Sequence, residues 1–144
     1  LILSDAGYLL DTKVVSEVNR PRPNARVAAF LDQLDADDMF VSVLTVGELR
    51  RGMEAKRRTD AVMADRLSLW IAQLERSFKD RVLSIDVSIA SLWGRLSAAR
   101  TRPVVDTLIA ATAIVHGMTL VTRNVAGMRD TGVRLVDPWL GGGA

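Results

Sequence analysis

Gly7-Tyr8-Leu9-Leu10-Asp11-Thr12-Lys13-Val14-Val15-Ser16-Glu17 reads as a short buried strand that stops on an acid and turns into a helix. The apolar run gives the strand, and the hydroxyl and fresh apolar periodicity after Asp11 give the helix. In open α/β sheets, ligands bind outside the carboxyl ends of the strands. Asp11 therefore stands where such folds place their chemistry.

The pattern repeats outward from this stretch. Pro21-Arg22-Pro23 interrupts the first helix, and Asn24 is placed to cap a second, with Val27, Phe30, Leu31 and Leu34 at helical spacing. Met39-Phe40-Val41-Ser42-Val43 reads as a second strand, and Thr45 as the opening of a helix that buries Val46, Leu49 and Met53. Glu48 lies off that apolar stripe, with Gly52 one turn further along, which suggests an open cleft. Residues 60–78 form the longest helical pattern, a core-facing helix carrying Trp70. Arg81 to Ile85 reads as a third strand, and Asp86 as the cap of the next helix, which carries Trp93. Pro103 suits the first position of another helix, because its fixed φ matches. Asp106 then falls in the first turn, where the helix dipole favours a negative charge. Thr119 to Thr122 is a fourth strand, with Arg123-Asn124 at its carboxyl end. Val133 to Val136 is a fifth, closed by Asp137-Pro138-Trp139. Strands alternating with helices predict one α/β sandwich around a mostly parallel sheet of four to five strands.

Composition narrows the function. At 144 residues with 49% hydrophobic side chains, the chain suits one compact domain spanning 1–144, with 1–6 and 141–144 expected as loose tails. It has no cysteine and a single histidine, His116, expected as a helix-end cap. Disulfides, thiolate centres and multi-imidazole zinc sites are thereby excluded, and any metal must be held by oxygen. No apolar run reaches the roughly 18 residues that span a membrane, and the N-terminal segment does not look like a signal peptide. The expectation is a cytoplasmic protein. Arg outnumbers Lys by 16 to 3, and Arg is the better fork for phosphate. The run from Arg50 to Arg58 is either a phosphate-facing patch or a solvated helix end. The mean hydropathy of +0.16 hints at a buried interface between subunits.

Asp11, Glu48 and Asp106 are three acids that the topology could gather at strand ends, with Asn124 beside them. Three carboxylates in water-poor surroundings repel one another, and a hard divalent cation such as Mg²⁺ resolves that conflict. Such an ion can polarise a phosphodiester and supply a water nucleophile. A phosphoacceptor receiver domain is the competing acid-bearing α/β design. It needs an acid after the third strand and a lysine after the fifth, which Ser84-Ile85 and Asp137-Pro138 do not cleanly supply.

Four segments, Leu9-Leu10-Asp11-Thr12, Ser42 to Gly52, Val104 to Ala113 and Thr119 to Asn124, resemble in order the motifs of PIN-domain proteins. The likeness is strongest to the VapC and FitB group of toxin ribonucleases, and it runs from about Tyr8 to Trp139. The resemblance implies a three-layer PIN-like sandwich and a Mg²⁺-dependent endoribonuclease, with Mn²⁺ able to substitute. It implies the toxin of a toxin–antitoxin pair, homodimeric and silenced by a VapB-like antitoxin. By the same resemblance Asp11, Glu48 and Asp106 bind the metal, Asn124 is the polar fourth position and Thr12 the supporting hydroxyl. The implied reaction is attack of a metal-activated water on an RNA phosphodiester.

The chain departs from the pattern at three places. Two residues past the first acid, relatives usually carry Asn or a small hydroxyl residue, and here stands Lys13. Unit charges 4 Å apart interact by about 4 kcal/mol at an effective dielectric of 20. Lys13 is thus expected either to weaken metal binding and attenuate cleavage, or to turn outward or meet RNA phosphate. Gly127 stands where relatives often carry a further acid, which favours one metal over two. The segment 98–103 is shorter than usual and should alter the rim of the cleft. The alternative function is a catalytically attenuated PIN module that acts by binding its antitoxin and modulating DNA binding of the complex.

Overall fold

A computed structural model describes residues 6–140. Five parallel strands form one sheet in the order β3-β2-β1-β4-β5: β1 Tyr8–Leu10, β2 Met39–Ser42, β3 Val82–Leu83, β4 Thr119–Val121 and β5 Leu135–Val136. Among the described residues seven α-helices join them: α1 Thr12–Val18, α2 Ala25–Asp32, α3 Val43–Arg57, α4 Ala61–Phe78, α5 Val87–Ala99, α6 Val104–His116 and the short α7 Val125–Met128. The predicted α/β architecture with a parallel sheet is the one observed.

Alternation along each strand builds the three layers. Tyr8, Leu10, Val41, Val82, Val121 and Val136 face one side, where Val14 and Val15 of α1, Val27 and Phe30 of α2, and Trp70, Leu74 and Phe78 of α4 cover them. Leu9, Phe40, Leu83, Leu120 and Leu135 face the other side, against Ile109, Ala110 and Ala113 of α6. The small residues of α6 let it lie close on the sheet, and α5 packs on α6. Leu9 is wholly buried, and full burial of such a side chain contributes about 1.5–3 kcal/mol. The rings of Tyr8 and Phe30 meet edge to face with centroids 6.1 Å apart. Trp70 and Trp139 pack against the same core, as the sequence suggests. A smaller core of Met53, Ala64 and Ile71 joins α3 to α4.

The strand order sets the location of the cleft. From central β1 the chain steps outward to β2 and β3, then returns across β1 to β4 and β5. The crevice at the carboxyl ends of β1 and β4 is the switch point, where α/β sheets bind ligands. Gly117, in the left-handed region at φ 68°, ends α6 and turns the chain directly into β4. This tight return makes α6 antiparallel to β4 and carries its N-terminus to the crevice.

Several boundaries differ from expectation. Helix α3 starts at Val43 rather than Thr45, because the Ser42 hydroxyl accepts the Leu44 N–H at 3.0 Å. Pro103 caps α6 from outside, with its carbonyl accepting from the Thr107 hydroxyl at 2.6 Å. The third strand is only Val82–Leu83, not residues 81–85. Arg81 closes a 3-10 turn, and its guanidinium donates to the carbonyls of Ala36, Met39 and Ser77. It therefore brackets the edge of the sheet instead of extending the strand. Helix α7 was not anticipated. The expectation of loose tails at 1–6 and 141–144 falls, Ala6 apart, outside the described residues.

Candidate active site

Asp11 ends β1 and caps α1. Its backbone N–H donates to Val121 O of β4 at 2.9 Å, while Oδ1 accepts the Thr12 N–H at 2.8 Å. Oδ2 accepts the Thr122 hydroxyl at 2.8 Å, and Thr122 in turn accepts the Asn124 N–H at 3.0 Å. Thr122 is 1% exposed, so β4 supplies a buried hydroxyl that fixes the β1 carboxylate. On the opposite wall, the Thr12 hydroxyl donates to Glu48 Oε1 at 2.6 Å. It also lies 2.9 Å from the hydroxyl of the wholly buried Thr45. Since Thr12 spends its proton on Glu48, Thr45 is the donor of that second bond. A file of hydroxyls thus orients Glu48 from the core outward.

Asp106 enters from the first turn of α6. Asn124 follows β4, and its carboxamide lies over Gly127: a Cβ there would stand 2.7 Å from Asn124 Oδ1 and 2.8 Å from Nδ2. The space that a side chain at position 127 would fill is taken by the Asn124 side chain. All five residues singled out in the sequence, Asp11, Thr12, Glu48, Asp106 and Asn124, line one cleft of about 460 Å³. Three cations, Lys13, Arg51 and Arg123, share its wall.

Charge in the cleft is uncomfortable. Burial pushes the Asp11 carboxyl above its ordinary value, the Thr122 and Thr12 hydrogen bonds oppose the rise, and Glu48 adds to it. Asp106 is also raised, first by burial and then by Asp11 and Glu48. Lys13 offsets part of both shifts, yet among the described residues it forms no ion pair with either acid. The donor set is all oxygen and suits a hard divalent ion. Among the described residues, however, no three acids stand close enough together to hold a metal ion as they are. Asp11 and Glu48 both bond to Thr12, one through its backbone N–H and the other through its hydroxyl.

Sequence reasoning missed Thr122 and Thr45. A hydroxyl at the end of the fourth strand, two residues before Asn124, was the available signal for Thr122. Thr45 carried none, because its partner is 33 residues away. A brace below the rim was missed as well. Arg102, with a side chain only 5% exposed, grips Asp130 by two bonds of 3.0 Å, and Arg100 joins at 2.7 Å. Those guanidinium contacts hold the Asp130 carboxyl down at about 2. The short 98–103 segment before Asp106 is thereby tied to the turn after α7.

Residues 8–132 match the PIN domain family. The chain belongs to the PIN domain family. This PIN domain is 37% identical over 140 residues to the toxin FitB of Neisseria gonorrhoeae, covering 91% of this chain and 97% of that protein. It is 33% identical to the VapC ribonuclease Y4jK of Sinorhizobium fredii, covering 91% and 96%. Among solved structures, the FitAcB crystal structure from Neisseria gonorrhoeae superposes with a TM-score of 0.76 at 34% identity, over 92% of this chain and 98% of that one. The DNA-bound VapBC of Salmonella typhimurium shares the fold, at a TM-score of 0.72 and 22% identity. Among the described residues no helix is long and apolar enough to cross a membrane.

Proposed function

We propose that this PIN domain is the toxin of a toxin–antitoxin pair and acts as a Mg²⁺-dependent endoribonuclease. What carries the reading is the meeting of Asp11, Glu48 and Asp106, from three distant segments, in one cleft where burial and mutual repulsion raise two of them. A structural scaffold has no use for such a cost. Asp11, Asp106 and Glu48 would hold the ion, which when bound supplies an activated water and relieves the charge. Thr122 and Thr12 orient the carboxylates. Asn124 and the cations Lys13, Arg51 and Arg123 present N–H groups to a phosphodiester entering the cleft. The relatives named as toxins and ribonucleases support the assignment. The likeness to solved FitAB and VapBC complexes supports a VapB-like antitoxin as partner, and the working form is read as a homodimer.

Two observations favour a second reading, an attenuated module that mainly binds its antitoxin and tunes the DNA affinity of the complex. The acids are not gathered for an ion as they stand, and Lys13 supplies part of the positive charge the ion would bring. Cleavage of a structured RNA across a Mg²⁺ and Mn²⁺ titration separates the two. The enzyme reading expects ion-dependent cutting that Asp106→Asn abolishes with the fold intact. Antitoxin binding without cutting at any ion concentration would establish the module instead. Lys13→Asn, compared with the unmodified chain for Mg²⁺ affinity and turnover, tests attenuation: equal values remove it.

A further inference from the structure

The cations around the cleft are not equivalent. On the α3 side Arg50, Arg51 and Arg57 are already engaged, while Lys56 and Arg58, among the described residues, pair with no carboxylate and do not line the cleft. Arg50 pairs with Glu75 at 3.2 Å, Arg57 with Asp65 at 3.0 Å and Glu54 at 3.7 Å, and Arg51 with Glu48 at 3.9 Å. On the other side, Lys13 of α1 and Arg123 after β4 have, among the described residues, no carboxylate within 4.0 Å. Both are exposed.

Lys13 and Arg123 also line a second hollow of about 250 Å³, completed by Ser16, Glu17, Arg20 and Trp139, with Glu17 already bound by Arg20 and the Asn24 N–H. Because both hollows are lined by these two residues, they adjoin there, and together they make a trough that runs from the acids of the cleft toward Trp139. The Arg123 guanidinium carbon lies over the Trp139 ring, 4.9 Å from its centroid. That contact holds the guanidinium in place and leaves its N–H edge free for an anion. A trough of this size admits a short length of single strand and not a duplex.

We infer that Lys13 and Arg123 hold the backbone phosphates of single-stranded RNA beside the carboxylates, so that the strand leaves the cleft toward Trp139 and not along the Arg50–Arg58 face of α3. The inference rests on the proposed ribonuclease reading and gives it a direction. The free pair binds phosphate without first breaking an ion pair, whereas Arg51, the α3 cation that lines the cleft, must give up Glu48 to do so.

Anisotropy of a 3′-labelled oligouridylate, measured in EDTA over a range of KCl concentrations, tests this without turnover. Lys13→Gln and Arg123→Gln should each weaken binding about three- to tenfold near 0.1 M salt and lower the log–log salt slope by about 0.7, with the double variant losing about twice that slope. Arg57→Gln, the same change in net charge on α3, should shift affinity less than twofold. Melting curves verify that all variants fold. Unchanged affinity in the Lys13 and Arg123 variants, or an equal loss in Arg57→Gln, overturns the inference and leaves the ribonuclease reading standing. If the two variants keep RNA affinity but lose binding to an oligoglutamate peptide, the trough is a protein-docking surface and the inference fails. An unmodified chain that neither binds RNA in EDTA nor cuts it with Mg²⁺ would sink both.

Discussion

Thr122→Val replaces a hydroxyl with a methyl of the same shape at a position 1% exposed, so no cavity opens. Two bonds are lost. One is the 2.8 Å donation to the Asp11 carboxylate, and bonds to charged groups contribute about 1.5–3 kcal/mol. The other is acceptance from Asn124 N–H, which is near the surface and regains water, so it adds at most about 0.5 kcal/mol. The expected loss at pH 7.5 is about 2–3 kcal/mol, which for a chain of this size lowers Tm by roughly 4–12 °C. The sign of the pH dependence follows from linkage. Thr122 holds the Asp11 carboxyl down, so in the variant that carboxyl rises further above its unfolded value. A raised group gives stability that is present at low pH and lost as pH climbs through its folded pKa. The variant therefore falls further behind as pH rises, and the gap narrows to about 1 kcal/mol when acid neutralises Asp11. Urea melts at pH 7.5 and pH 4 measure it, and a double-mutant cycle with Asp11→Asn isolates the pair. A gap below about 0.5 kcal/mol at pH 7.5, or one of equal size at both pH values, refutes the argument.

Asp106→Asn should stabilise the metal-free chain at neutral pH. The native carboxyl is raised by burial and by its two neighbours, so its charged form is a cost that grows as pH climbs through its folded pKa. Thermal melts should show the gain disappearing below the ordinary carboxylate range, and Mg²⁺ should stabilise the unmodified chain more than the variant. Asp130, held down at about 2 by Arg102 and Arg100, has the opposite sign: its contribution is complete above the ordinary value of 3.8 and lost as pH falls through 2. Acid melts between pH 4 and pH 2 should therefore destabilise the native chain more steeply than Asp130→Asn. Gly127→Ala puts a Cβ within 3.0 Å of the Asn124 side chain, whose free end can swing away. Melting should change by no more than a degree or two, while RNA cleavage falls as far as in Asn124→Ala; unchanged cleavage would remove Asn124 from the reaction.

The layers were legible because strand and helix periods differ, and because Leu9 and Leu10 alternate across a sheet buried on both faces. Asp11 and Asp106 were legible as an acid at a strand end and an acid in a first helical turn, positions fixed by local rules. What escaped was long-range. The Thr122 bond spans 111 residues, and the Arg102–Asp130 grip joins two loops that no local pattern relates. The third strand was overread because Arg81 looks like a strand residue until its three carbonyl partners are known. Val43 reads as strand, but Ser42 ends β2 and its side chain already starts α3 there.

The place of β4 in the sheet has a consequence during synthesis. Asp11 leaves the ribosome early, but its hydroxyl partner and the strand on its open edge come more than a hundred residues later. Until residues 119–122 dock, the first carboxylate is unsupported and the cleft has one wall. A partly translated chain therefore carries the acids without the pocket, and whatever the proposed site does to RNA begins only after residues 119–122 have emerged and docked.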